Sequence, residues 1–123
     1  TDCKLSNTSY TKIAIFQYNG ATNNIISGGS TAQHAFWMFG TSYLQAGHNG
    51  AWNTVVSTTS LAQNVWYFGA VSFNSTTGWK LYVNGRLEST SSNTTTVSGT
   101  GVSVLIGAYD PGANLFNGKI AHL

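Results

Sequence analysis

The twelve residues from Trp79 to Thr90 constrain this chain more than any others. Trp79-Lys80-Leu81-Tyr82-Val83 and Arg86-Leu87-Glu88-Ser89-Thr90 both alternate apolar with polar side chains, and Asn84-Gly85 joins them. Asn-Gly takes the two positive φ angles of a type I′ turn, so the segment reads as a β-hairpin. Just before it, Asn74-Ser75-Thr76-Thr77-Gly78 closes a second hairpin between the Trp79 strand and the aromatic run 66–73. No segment keeps a 3.6-residue apolar period over three turns, so helices are not expected.

The same cadence of short apolar runs and polar turns extends along the chain. Strands are expected at 12–16, 35–39, 43–46, 52–57, 66–73, 79–83, 86–90, 102–106 and 116–122. The run 66–73 is apolar enough to suit a strand covered on both faces. The stretches 19–31 and 89–100 read as loops because serine, threonine, asparagine and glycine dominate them. Strands at this spacing argue for an antiparallel β-sandwich or jelly roll, all-β, in a single domain over 1–123. Trp66, Phe68, Leu81, Val83, Leu105 and Ile120 are its expected core. Arg86 and Glu88, two apart, belong on one solvent-facing side of their strand.

Composition narrows the function. Only 7% of the 123 residues are charged, while serine, threonine and asparagine account for 42. The 41% hydrophobic content is ample for a core, so disorder is a poor reading. Five scattered cations (Lys4, Lys12, Lys80, Arg86, Lys119) make no phosphate-tracking groove, so no nucleic-acid partner is expected. No run of 18 apolar residues exists to insert in a membrane as a helix. A single cysteine, Cys3, precludes an internal disulfide and a cysteine-built zinc site.

From Trp66 onward the order of motifs is more specific. Trp66-Tyr67-Phe68-Gly69-Ala70-Val71-Ser72-Phe73, Leu81-Tyr82-Val83-Asn84-Gly85, Leu105-Ile106-Gly107 and Phe116-Asn117-Gly118-Lys119-Ile120 resemble the laminin-G-like domains of the concanavalin A-like lectin/glucanase superfamily. The resemblance implies a concanavalin A-like sandwich. Members of that family usually carry further strands at both ends, so the chain is expected to be part of a longer polypeptide. Partner strands would then come from neighbouring segments or chains.

Catalytic groups are scarce. Sugar hydrolysis normally uses two carboxyl groups, and the chain has only Asp2, Glu88 and Asp110, without the E-x-D-x-x-E cluster of the superfamily's hydrolase branch. There is no G-x-S-x-G elbow. The expectation is no enzyme and no cofactor. The one residue suited to a weak calcium site, as the resemblance implies, is Asp110 in a rim loop, and calcium wants six to eight oxygens. His34, His48 and His122 lack metal-ligand spacing.

Sugar sites pair an aromatic platform with amides and hydroxyls. Two expected loops offer those types: His48, Asn49, Trp52 and Asn53 in one, Tyr109, Asp110 and Asn114 in the other. These seven are the candidate ligand-binding residues. Three glycosylation triplets begin at Asn7, Asn74 and Asn93, about as many as chance places in such a composition. The expected function is a non-catalytic structural and recognition module on a virion surface, as a phage tail, fibre or capsid-decoration domain. Its partners would be copies of itself in a homo-oligomer or other chains of an assembly, and cell-surface glycan. The alternative is a lectin-like adhesion domain of a secreted or cell-surface protein, extracellular in either case. A glycoside-hydrolase fragment is the remote alternative.

Overall fold

In a computed structural model, the structure describes residues 8–21, 24–28, 34–38, 42–97, 104–109 and 114–123. Among these residues lie ten strands: β1 (Tyr10–Tyr18), β2 (Asn24–Gly28), β3 (His34–Trp37), β4 (Gln45–His48), β5 (Val55–Val56), β6 (Trp66–Asn74), β7 (Gly78–Val83), β8 (Arg86–Ser91), β9 (Leu105–Ile106) and β10 (Gly118–His122). They form two antiparallel five-stranded sheets, β10-β1-β6-β7-β8 (sheet A) and β5-β4-β3-β2-β9 (sheet B). This is the all-β sandwich expected from the sequence.

Alternation builds sheet A. Along β1, Tyr10, Lys12, Ala14, Phe16 and Tyr18 are buried while Thr11, Ile13 and Ile15 are exposed. The inward residues of β6 and β7 (Val71, Phe73, Trp79, Leu81, Val83) meet Ile25, Phe36, Met38, Leu44 and Ala46 of sheet B in one core. Gly69 lies where side chains from both sheets converge. A Cβ there would stand 2.9 Å from Leu44 Cδ2 and 3.1 Å from Phe16 Cε1. Asn84 and Gly85 have φ of 50° and 81°, the left-handed pair that the β7–β8 turn requires.

Leu81 and Val83 are core residues as expected, and Leu105 and Ile120 are half-buried. Trp66 and Phe68 are a correction: they are 46% and 38% exposed. Strand β6 buries the opposite parity, Gly69, Val71 and Phe73, so it is covered on one face rather than two. A one-residue choice of phase moves a whole set of side chains to the other face, and an aromatic at every phase of 66–68 hides that choice.

Strand β2 is a second correction, since it lies inside the expected loop 19–31. Its sequence Asn-Ile-Ile-Ser-Gly is too short and polar to announce a strand, yet β3 and β9 pair with it on either side. Residues 89–91 likewise extend β8 rather than opening a loop, and Val97 is fully buried.

Glu88 is the third. Its strand slips register at Leu81/Tyr82, and the carboxylate turns inward to the segment after β5 instead of to solvent. Oε2 accepts hydrogen bonds from Thr58 N (3.0 Å), Thr59 N (2.8 Å) and the Thr58 hydroxyl, and Oε1 accepts one from the Thr59 hydroxyl (2.9 Å). Arg86 does share its side, with Nε 3.2 Å from Glu88 Oε1, but its own side chain is largely exposed. The carboxylate therefore ties sheet A to the segment leaving sheet B.

Candidate functional site

The Asn49-Gly50 turn sets up the most site-like feature. Their φ angles are 53° and 79°, and Ala51 N donates to His48 O at 3.0 Å, folding the chain back over the end of β4. The fold-back needs Gly47, because a Cβ there would stand 1.8 Å from the Ala51 carbonyl oxygen. Trp52 is thereby delivered against Trp37, which leaves β3 on the side opposite the core residues Phe36 and Met38. The two rings lie 5.4 Å apart, and Trp37 Nε1 donates to Trp52 O at 2.7 Å.

Tyr109 completes the cluster. Gly107 N donates to Ile25 O (2.9 Å) and the Ser27 hydroxyl donates to Ala108 O (2.5 Å), fastening the segment after β9 onto β2. The Tyr109 ring then meets Trp52 edge-on, with centroids 5.0 Å apart. Trp37, Trp52 and Tyr109 are each half-buried, so this row of rings keeps accessible surface on the outside of sheet B.

Of the seven expected ligand-binding residues, Trp52 and Tyr109 are brought into contact. Asn53 and Asn114 are exposed, and Asn114 takes a positive φ of 50°. Asn49 donates through Nδ2 to Thr96 O at 2.6 Å, holding the segment that follows β8. Asp110, with its calcium expectation, lies outside the described residues. Among the described residues no group of three or more histidine, cysteine, aspartate or glutamate side chains converges on a metal-sized point.

His48 is not in a loop at all. It ends β4 and is only 3% exposed. Its ring packs 4.6 Å from both Phe73 and Trp79, and its cross-strand partner is His34, also buried. Burial holds the His48 pKa below the usual imidazole value, opposed by the bond to Thr95 and reinforced by nearby Lys12. It is a core residue rather than a rim residue.

Trp37 went unnoticed as a site residue in the sequence. The signal was present, since alternation along the expected strand 35–39 sends Trp37 to the face opposite Phe36 and Met38.

Residues 3–123 match the laminin-G-like family profile described as the concanavalin A-like lectin/glucanases superfamily. The chain belongs to that superfamily. No curated protein matches it. Membership in the concanavalin A-like superfamily accounts for the two five-stranded antiparallel sheets and leaves the activity open, because this superfamily contains both lectins and glycosidases and one sandwich hosts many functions.

Proposed function

We propose that this domain is a non-catalytic recognition module that takes a neutral glycan on the aromatic row Trp37–Trp52–Tyr109. The supporting observation is the Trp52–Tyr109 contact at 5.0 Å on a half-exposed surface. Two separate loops bring Trp52 and Tyr109 together edge-on into an accessible aromatic surface, the kind that meets the C–H face of a pyranose. Exposed Asn53 and Asn114 supply amide groups from the same two loops.

The non-catalytic part rests on the state of the one acidic side chain among the described residues. Glu88 is engaged by four hydrogen bonds from Thr58 and Thr59 and by Arg86. Those bonds, that from the Thr58 hydroxyl first, hold its pKa down at about 2. A carboxyl so acidic is a poor proton donor to a glycosidic oxygen at neutral pH.

The setting we propose is the surface of a virion or a comparable protein assembly. The low charge of 7% supports it, as do Ile13, Ile15 and Phe68 on the outer face of sheet A, where they suit packing against another chain.

A glycan array with the wild-type domain and Trp52→Ala tests the recognition reading. Binding to a neutral glycan that falls at least about tenfold in Trp52→Ala is the expected result, with the fold checked by circular dichroism. Binding unchanged in that variant, or an array without signal, overturns it.

A further inference from the structure

The outer face of sheet A is apolar along Ile13, Ile15 and Phe68, and that band stops at one cross-strand row. Gln17 pairs with Trp66 on β6 and with Lys119 on β10. All three belong to the outward phase, opposite Phe16, Tyr67 and Ile120, which pack on the core. Trp66 is 46% exposed, the largest side chain so displayed among the described residues.

Next to this row is a pocket of about 240 Å³, lined by Gln17, Asn19, Asn64, Asn117, Gly118 and Lys119. Four of its six lining residues carry side-chain amides. Its walls are fixed by backbone bonds, Asn19 N to Asn117 O at 2.8 Å and Asn64 N to Tyr18 O at 2.8 Å. Gln17 Nε2 donates to Asn64 O at 2.8 Å, which orients the amide and leaves its oxygen facing a different direction. A mixed set of amide donors and acceptors beside an exposed indole is the chemistry that holds a ring of hydroxyls.

The charge completes the assignment. Lys119 is the only cation lining the pocket, and no carboxylate pairs with it among the described residues. Glu88 lies on β8, at the far edge of the same sheet from β10.

We propose that this pocket and Trp66 form a second saccharide site, selective for a pyranose carrying a carboxylate. The sugar's apolar face stacks on the Trp66 indole, its hydroxyls exchange hydrogen bonds with the amides, and its carboxylate meets the Lys119 ammonium. The site is on the opposite sheet from Trp52, so it stands or falls apart from the glycan reading above.

The test uses glucuronate and glucose as probes, followed by amide and indole NMR signals of the wild-type domain and of Trp66→Ala, Lys119→Met and Trp52→Ala. Glucuronate is expected to shift the signals of Gln17, Asn19 and the Trp66 indole. Glucose should bind about tenfold more weakly, and Lys119→Met should erase that difference while retaining weak binding of both. Trp66→Ala should abolish the shifts at Gln17 and Asn19, whatever binding the Trp52 row retains. Because Trp66 and Lys119 are exposed, neither variant is expected to disturb the fold. Glucuronate that leaves Gln17 and Trp66 unshifted overturns the proposal, as does a wild-type preference that survives in Lys119→Met. Loss of the Gln17 and Asn19 shifts in Trp52→Ala overturns it too, by moving the ligand to the other sheet.

Discussion

The Tyr10 hydroxyl, on the first strand of sheet A, lies 3.0 Å from His48 Nδ1 on sheet B. His48 Nε2 is 2.6 Å from the Thr95 carbonyl oxygen, which can only accept. Nε2 must therefore carry the proton, and in the neutral ring Nδ1 accepts from Tyr10. One imidazole thus bridges both sheets and the segment following β8. Nitrogen-15 shifts of the ring should report the Nε2–H tautomer, with Nδ1 taking its proton only below pH 6.5.

Lys12 sits in the same layer, 5% exposed, with its ammonium nitrogen 5.1 Å from the Tyr10 ring centre and no hydrogen-bond partner among the described residues. On sheet B, His48 is close enough to feel the Lys12 charge, while Val71, Phe73, Trp79 and Leu81 face inward from β6 and β7. Burial pushes its pKa down to about 7 from 10.5. Above 10.5 the amine is neutral folded or unfolded; between 10.5 and 7 only the unfolded chain takes the proton. Stability should therefore fall as pH drops across that window, by about 1.4 kcal/mol per pH unit. Lys12 adds nothing further below 7, and His48 takes over below 6.5. Urea unfolding of Lys12→Met should show a flat profile from pH 9 to 7 where the wild type slopes.

Glu88→Gln keeps the shape of the side chain and removes its charge. Two threonine amides and two hydroxyls then share a neutral acceptor, and the melting midpoint should drop by roughly 5 °C. The wild type should lose this contribution as pH falls from the ordinary carboxylate range, near 4.5, toward about 2, because the folded pKa is depressed. Thermal melts at pH 7 and pH 2.5 check both points: the gap between the two proteins should narrow at the lower pH.

Gly69→Ala puts a methyl where Leu44, Phe16 and Phe36 already converge. Leu44 can yield by changing rotamer, but the two rings cannot do so cheaply. A loss of about 1–3 kcal/mol in chemical denaturation is expected. Leu81→Ala, at a fully buried site, should cost about 2–5 kcal/mol by leaving a cavity.

Much of sheet A was legible because its hairpins announce themselves through Asn84-Gly85 and through alternation in β1 and β7. Strand β2 was not, because two isoleucines among polar residues become a strand only through pairing with β3 and β9. Phase was lost at 66–68, where three aromatics in a row satisfy either face. In the site, Trp52 and Tyr109 were recognisable by residue type, but their contact depends on backbone bonds to β2 that no spacing reveals. His48 read as a rim residue because β4 runs two residues past Ala46, the expected end of that strand, before the Asn49-Gly50 turn. Glu88 read as surface because a register slip, invisible in sequence, turns it inward.

Among the described residues, the outermost strands differ between the two layers. In sheet B both are two residues long, β5 and β9. In sheet A, β8 and β10 are longer, and each carries an irregularity where it joins its neighbour. A flat, regular border is what lets one molecule continue the hydrogen-bond ladder of the next, and none of these four borders is both long and regular. Copies of this domain are thus poorly equipped to polymerise side by side into extended ribbons, and any higher-order array would have to be built by stacking broad surfaces.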